Sequence, residues 1–164
     1  MTRLSQLGLV VVISLMAVPT AFSEQSAPPR SGHHQIVKPG DIKWGPPPPS
    51  VPPGAQLAVI DGDPGKAGMF AIRLKFPDGY QIPPHWHPTD EHVTVMQGTM
   101  ILGMGDKVSA ANEQELATGG FAKLPAEMRH YARAKGETIV QIYGPGPFVV
   151  NYVNPGDDPQ KKKQ

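Results

Sequence analysis

The stretch Gly79-Tyr80-Gln81-Ile82-Pro83-Pro84-His85-Trp86-His87-Pro88-Thr89-Asp90-Glu91-His92 decides how this chain is read. Side chains alternate between the two faces of a strand, so His85 and His87 point one way and Trp86 the other. Two imidazoles therefore converge. Pro88-Thr89-Asp90 has turn chemistry, which doubles the chain back and brings Glu91, at the start of the next strand, beside them. A fourth candidate, His130, lies beyond the next patterned strands and follows a second turn at Leu124-Pro125-Ala126-Glu127. Three neutral nitrogens and one carboxylate oxygen suit a single divalent ion, one of Mn, Fe, Co, Ni, Cu or Zn, and an octahedral ion would keep positions for water or a small-molecule ligand.

The flanks of that stretch read as strands. In Phe70-Ala71-Ile72-Arg73-Leu74-Lys75-Phe76 the even positions are apolar and the odd ones small or charged, which is the period of a half-buried strand. Similar segments are expected at Gln56 to Ile60, Gln81 to His87, Glu91 to Gln97, Thr99 to Met104, Gly120 to Leu124, His130 to Ala134, Thr138 to Tyr143 and Pro147 to Val153. Asn112 to Ala117 could form one short helix and reads equally as a loop. With 20 Pro and 18 Gly in 164 residues, turns dominate, and many short strands joined by close turns make an all-β sandwich or closed barrel.

At these residues the chain resembles the cupin superfamily. The family's first motif is glycine, five residues, His-x-His, three or four residues, Glu, six residues, glycine; Gly79, His85, His87, Glu91 and Gly98 stand at those intervals. The second motif is glycine, five residues, Pro-x-Gly, two residues, His, three residues, Asn. Gly119, Pro125 and His130 match it, but Glu127 replaces the second glycine and Ala134 the asparagine. Glu127 puts that turn's conformation in question, because glycine tolerates positive φ without penalty. The resemblance covers about Gln56 to Val153. It implies a jelly-roll barrel (a double-stranded β-helix) with one divalent metal ion inside, held by His85, His87, Glu91 and His130. It also implies a homodimer paired through barrel edges.

The rest of the chain frames this barrel. Arg3, the 12-residue apolar run Leu7 to Val18 and Ala21-Phe22-Ser23 have the layout of a secretory signal cleaved after Ser23. A retained anchor is the alternative, although the run is shorter than the ~18 residues that span a bilayer. Four segments result: 1–23 signal peptide, 24–54 proline-rich arm, 55–154 barrel and 155–164 flexible tail. Export to the periplasm or medium follows, with no stable membrane span after cleavage. The run Gly45-Pro46-Pro47-Pro48-Pro49-Ser50-Val51-Pro52-Pro53-Gly54 favours an extended arm. Ile36, Val37, Ile42 and Trp44 could dock it, and it could also swap onto a neighbouring subunit. A net charge of +1, with basic residues scattered apart from Lys161 to Lys163, offers no face for nucleic acid. The absence of cysteine removes disulfides and thiolate sites.

Other residues have plainer expectations. His92 follows Glu91 and faces the other side of its strand, and His33 and His34 form an exposed pair in the arm. Trp86 is a packing residue. Tyr131 and Arg133 leave the metal cavity, while Ala132, Ala134, Val93 and Val95 face it. Whether Val140 and Ile142 or Gln141 and Tyr143 face inward stays open, and with it the presence of an acid or base. Dioxygenase, decarboxylase and isomerase chemistry occur in families of this fold, so a metal-dependent enzyme acting on a small molecule is the first functional expectation. A non-catalytic metal- or ligand-binding or sensing module is the second, and an ion that only holds the barrel together is the third. No catalytic residue beyond the ligands is assigned.

Overall fold

The computed structural model describes residues 34–161; the expected signal peptide, His33 and the first part of the arm lie outside them. From Ile36 onward the described residues form one compact unit built on eight strands: β1 (Gln56–Asp61), β2 (Gly68–Phe76), β3 (Gln81–Trp86), β4 (Glu91–Met104), β5 (Glu113–Ala117), β6 (Phe121–Leu124), β7 (His130–Gly146) and β8 (Asn151–Tyr152). All pairings are antiparallel. Among the described residues no helix is long and apolar enough to cross a membrane.

Two long strands organise the barrel. β4 and β7 pair along nearly their whole length, from His92↔Tyr143 to Met104↔His130. Beyond the bend, His92 to Gln97 and Thr138 to Gly146 continue into β1–β2–β7–β4–β6, while Thr99 to Met104 and His130 to Lys135 belong to β8–β3–β7–β4–β5. The two expected strands on either side of Gly98, and likewise those on either side of Gly136, are thus single bent strands. Gly98 has φ 75°, and a Cβ there would lie 2.3 Å from the Glu137 carbonyl oxygen, so the bend requires glycine. Thr138, fully buried, pins it by sharing its one hydroxyl proton between the Thr99 and Gly136 carbonyls, 3.0 and 3.1 Å from Oγ1.

The core fills the space between these two layers, with Ile72, Leu74 and Val140 from the first packed into one cluster with Met100 and Leu102 from the second. The alternation in β2 is realised as read: Phe70, Ile72, Leu74 and Phe76 are buried and the residues between them are not. Two expectations are corrected. Glu113–Ala117 is a strand, preceded by a single 3-10 turn at Ala110–Asn112, and it pairs with β4 from Thr99↔Ala117 to Gly103↔Glu113. Pairing along β4 satisfies the segment's backbone groups in the sheet, which outweighs the helix preference of Glu, Gln, Leu and Ala. Pro147 to Val153 was also expected as a strand, and only Asn151–Tyr152 pairs.

The arm lies on its own barrel. Gly45 and Leu57 exchange backbone hydrogen bonds at 2.8 Å in both directions, and Lys75 sits 4.6 Å over the Trp44 ring. Val51 and Ala55 are buried in the core cluster. Two tyrosine hydroxyls fasten the proline run: Tyr80 donates to the Pro52 carbonyl and Tyr152 to the Ser50 carbonyl, the latter at 2.7 Å. Burial pushes both phenols well above their ordinary value, so they remain protonated donors. Of the four expected docking residues, Ile42 and Trp44 are half-buried, whereas Ile36 and Val37 are exposed.

Candidate metal centre

Strand register brings the site together. His85 of β3 is the direct partner of His130 of β7, and Glu91 opens β4 after the tight turn at Pro88-Thr89-Asp90. That turn is tied down by Thr89, whose hydroxyl donates to the Pro145 carbonyl at 2.8 Å. It is joined to the second turn by Asp90, which accepts the Ala126 N–H at 2.9 Å and pairs with Lys123 at 2.9 Å. The hydrogen bond from Lys123 holds the Asp90 carboxyl below its usual value.

The four expected ligands are all buried, at 2–7% exposure. One ring nitrogen from each of His85, His87 and His130 falls in a group whose members lie within 4.8 Å of one another. Glu91 stands beside that group: Oε1 is 3.5 Å from His87 Nε2 and Oε2 is 3.4 Å from His130 Nε2.

The other nitrogen of each ring is already committed. Nδ1 of His85 lies 2.8 Å from the Pro83 carbonyl oxygen, Nδ1 of His87 lies 2.6 Å from that of Val149, and Nδ1 of His130 lies 2.9 Å from that of Met128. A carbonyl can only accept, so each Nδ1 carries the proton and each neutral ring presents a bare Nε2 lone pair. Burial pushes His85 well below its ordinary pKa, with the neighbouring His130 and His87 adding to the shift, and burial lowers His87 against the pull of Glu91. Burial opposes ionisation of Glu91, and only positive charge on His130 and His87 would outweigh it and hold the carboxyl below its usual value; with both rings neutral, a bound cation would have to supply that charge.

Lone pairs thus face one another and a carboxylate across a buried gap. His87 Nε2 is buried with no hydrogen-bond partner. Such an arrangement is unfavourable unless a cation occupies the middle. Two donors each ~2.1 Å from one ion lie roughly 3.0–3.5 Å apart, which is the separation that Glu91 keeps from both histidines. The residues fit a divalent ion.

Beside the histidines lies a narrow cavity into which His85, Glu91 and His130 open. Its walls are apolar, with Phe76, Val93, Met100, Leu102, Val140 and Ile142 prominent among them. The open question of parity is thereby answered: Val140 and Ile142 face inward, and Gln141 and Tyr143 do not line the cavity. Ala132 lines it as expected; Val95 and Ala134 are buried in the core cluster but are not among its lining residues.

His92 faces away and stacks on Tyr143, centroids 4.7 Å apart and 11° from parallel. His34 is exposed. Arg133 leaves the metal cavity and pairs with Glu113 at 3.1 Å. Tyr131 is buried, with its hydroxyl donating to the Ser109 carbonyl at 2.9 Å and accepting the Ser109 N–H at 2.8 Å. Sequence reasoning missed Phe148, whose ring stacks on His87 at 5.3 Å, and it missed the three carbonyls that fix the rings. Only the failed strand pattern at Pro147 could have signalled that this segment serves the site.

A bent antiparallel barrel with three inward histidines beside an apolar cavity is the architecture of a metal-binding cupin. Residues 72–144 match the family described as Cupin domain, which makes that region of the chain a cupin domain of the cupin superfamily. Among solved structures it is similar to the polyketide cyclase RemF from Streptomyces resistomycificus, with 18% identity, 80% of this chain and 94% of that chain covered, and a TM-score of 0.64. It is also similar to a protein provisionally named an acetylacetone dioxygenase from Methylibium petroleiphilum, with 18% identity, 77% and 85% coverage and a TM-score of 0.60. KdgF from Halomonas sp. is a third, with 20% identity, 70% and 96% coverage and a TM-score of 0.54. These likenesses show the fold. No curated protein matches in sequence.

Proposed function

We propose that this cupin is an exported enzyme that holds one divalent first-row transition-metal ion through His85, His87, Glu91 and His130 and acts on a small, weakly polar molecule. The observation that carries this reading is the meeting of bare Nε2 lone pairs and a carboxylate, with His87 Nε2 left buried and unpartnered. A bound ion would supply Lewis-acid polarisation or, with iron, copper or manganese, redox chemistry. The chain's own residues do the rest. Three backbone carbonyls hold the rings in one tautomer, Phe148 covers His87, and the cavity walls exclude water from the open side. A dry, narrow cavity selects a molecule whose main polar group is the one that binds the ion. The fold neighbours described as a cyclase and a dioxygenase support an enzyme.

One observation favours the second reading, a non-catalytic binding or sensing module: apart from His85, Glu91 and His130, every residue lining the cavity is apolar. No further acid or base stands ready there. Pairing of two copies is also proposed, supported by Met69, Met96 and Phe121, which are exposed at 61%, 42% and 52% on the outer face of the β1–β2–β7–β4–β6 layer.

The test is elemental analysis of the protein purified from its own compartment, beside the His85→Ala/His87→Ala double variant. One equivalent of a redox-active ion, lost in the variant, directs the search to oxygen-dependent substrates. One equivalent of zinc, lost likewise, favours isomerase, hydrolytic or structural roles. No metal in either protein would sink the proposal.

A further inference from the structure

Twelve residues line the cavity beside the histidines, and ten of them are buried; Ile82 and Ala132 alone keep partial exposure. The same two residues wall a second, larger cavity, whose other lining residues include Pro83, Pro84, Glu113, Arg133 and Asp157. Ile82 and Ala132 are thus the most exposed part of the metal cavity's wall, and they border a second space as well.

The strand ladder explains why the wall is thin there. Ile82 and Ala132 are register partners across β3 and β7, the next pair is His85 and His130, and the register slips between them. Pro83 and Pro84 occupy the slip. Neither has an N–H, so β3 cannot donate to β7 at that level. The Pro83 carbonyl is used by His85 Nδ1 and the Pro84 carbonyl by the Val153 N–H, at 2.8 and 2.9 Å. Both prolines' acceptors thus face partners other than β7, and the ladder is unlaced beside the site.

We propose that the second cavity is the vestibule of the metal cavity and that Ile82 and Ala132 form the gate between them, so that the substrate enters through the side of the barrel between β3 and β7. The proposal rests on the metal reading only for what waits at the end of the passage. The gate also sets the class of molecule admitted. The vestibule carries the Arg133–Glu113 pair and Asp157 on its wall, whereas everything beyond the gate except the metal-facing groups is apolar. A charged molecule would lose its hydration at Ile82 with nothing to replace it. A small uncharged one passes at little cost, and the methyl group of Ala132 leaves the width for it.

The test uses Met100, which lines the metal cavity at 3% exposure, as a reporter inside the gate. Hydrogen peroxide is a small uncharged probe that converts methionine to its sulfoxide wherever it can reach the sulfur. The full chain, freed of metal by a chelator, is treated with peroxide, and oxidation of each methionine is followed by peptide mass spectrometry. Met69, exposed at 61%, serves as the internal reference.

Relative to Met69, Met100 is expected to oxidise at least fivefold faster in Ile82→Ala and at least fivefold slower in Ala132→Leu. Phe148→Ala, which opens the cover over His87 instead, is expected to leave the ratio unchanged and controls for simple loosening of the fold. Ala132→Val replaces the leucine variant if that one fails to fold. Equal ratios in all four proteins, including no reaction at Met100 in any, would overturn the gate, and so would acceleration in Phe148→Ala matching that in Ile82→Ala. Metal content is measured on separate samples, so absence of metal with the expected methionine pattern removes the enzyme reading and leaves the passage standing.

Discussion

Glu127 holds His87 from a backbone conformation that its own side chain disfavours. Its N–H donates to the His87 carbonyl at 2.8 Å, and its φ is 64°, the one positive value at a non-glycine among the described residues. The next residue, Met128, supplies the carbonyl on His130 Nδ1, so one strained turn sits against two of the three histidines. The left-handed region costs a residue with a Cβ on the order of 1–2 kcal/mol, offset in part by the greater freedom of glycine in the unfolded chain. Glu127→Gly is expected to raise stability by up to about 1 kcal/mol, read as the midpoint shift in urea, with metal stoichiometry unchanged. A loss of stability would mean that the Glu127 side chain contributes more than the strain removes.

The four ligands should not be equivalent. His130→Ala removes a nitrogen and its backbone-fixed ring, and is expected to abolish stoichiometric binding in a competition titration against a chelator. Glu91→Gln keeps shape and an oxygen but loses the charge, and is expected to weaken binding by an order of magnitude or more while retaining one site. Unchanged affinity in Glu91→Gln would remove Glu91 from the ligand set and leave the three histidines.

Acid should destabilise the metal-free protein. The His85 and His87 pKa values are lowered in the folded state by burial, whereas the unfolded chain takes up these protons near 6.5. Below that value the unfolded state binds more protons, so stability falls as pH drops from about 6.5 toward the lower folded values and is flat above it. Urea melts of the chelator-treated protein at pH 8, 7, 6 and 5 check this. Added divalent metal should raise the midpoint at pH 7 and lose that effect as the histidines protonate.

Fastening of the arm by two hydroxyls gives a local readout. Tyr152→Phe and Tyr80→Phe each remove a donor from a proline-run carbonyl, at a cost of about 1 kcal/mol. The arm carries Lys38 and Lys43, both exposed. Tryptic cleavage after Lys43 under native conditions should speed up in the double variant while the barrel beyond Gln56 stays intact; Lys38 precedes Pro39 and resists trypsin. Equal rates would show that the buried Val51, the Gly45–Leu57 backbone pair and the Lys75–Trp44 contact hold the arm without the hydroxyls.

The site was more legible in the sequence than the path of the chain around it. Strand alternation placed His85 and His87 together, and the pairing of His85 with His130 followed once β3 lay against β7. The β2 pattern survived because its alternation is enforced by burial on one face. Glu113 to Ala117 did not announce itself, because its residues favour helices and only its neighbour β4 makes it a strand. The direction of Val140 and Ile142 could not be read either, since parity along β7 depends on how the chain passes Gly136, whose φ of 74° lies at the bend. The Pro147 to Val150 segment misled for a related reason: its Val149 carbonyl serves His87 and its Phe148 N–H bonds to Pro64 at 2.7 Å, and neither is visible without the fold.

The three acceptors on the histidine rings belong to the main chain at Pro83, Met128 and Val149. No codon change can delete a peptide carbonyl. Ring orientation here is therefore inherited through the route of the backbone, and the side chains at those three positions are free to drift as long as that route survives. Anyone refitting this barrel for another ion or another reaction could rewrite the cavity walls extensively and still receive three imidazoles already turned to the centre.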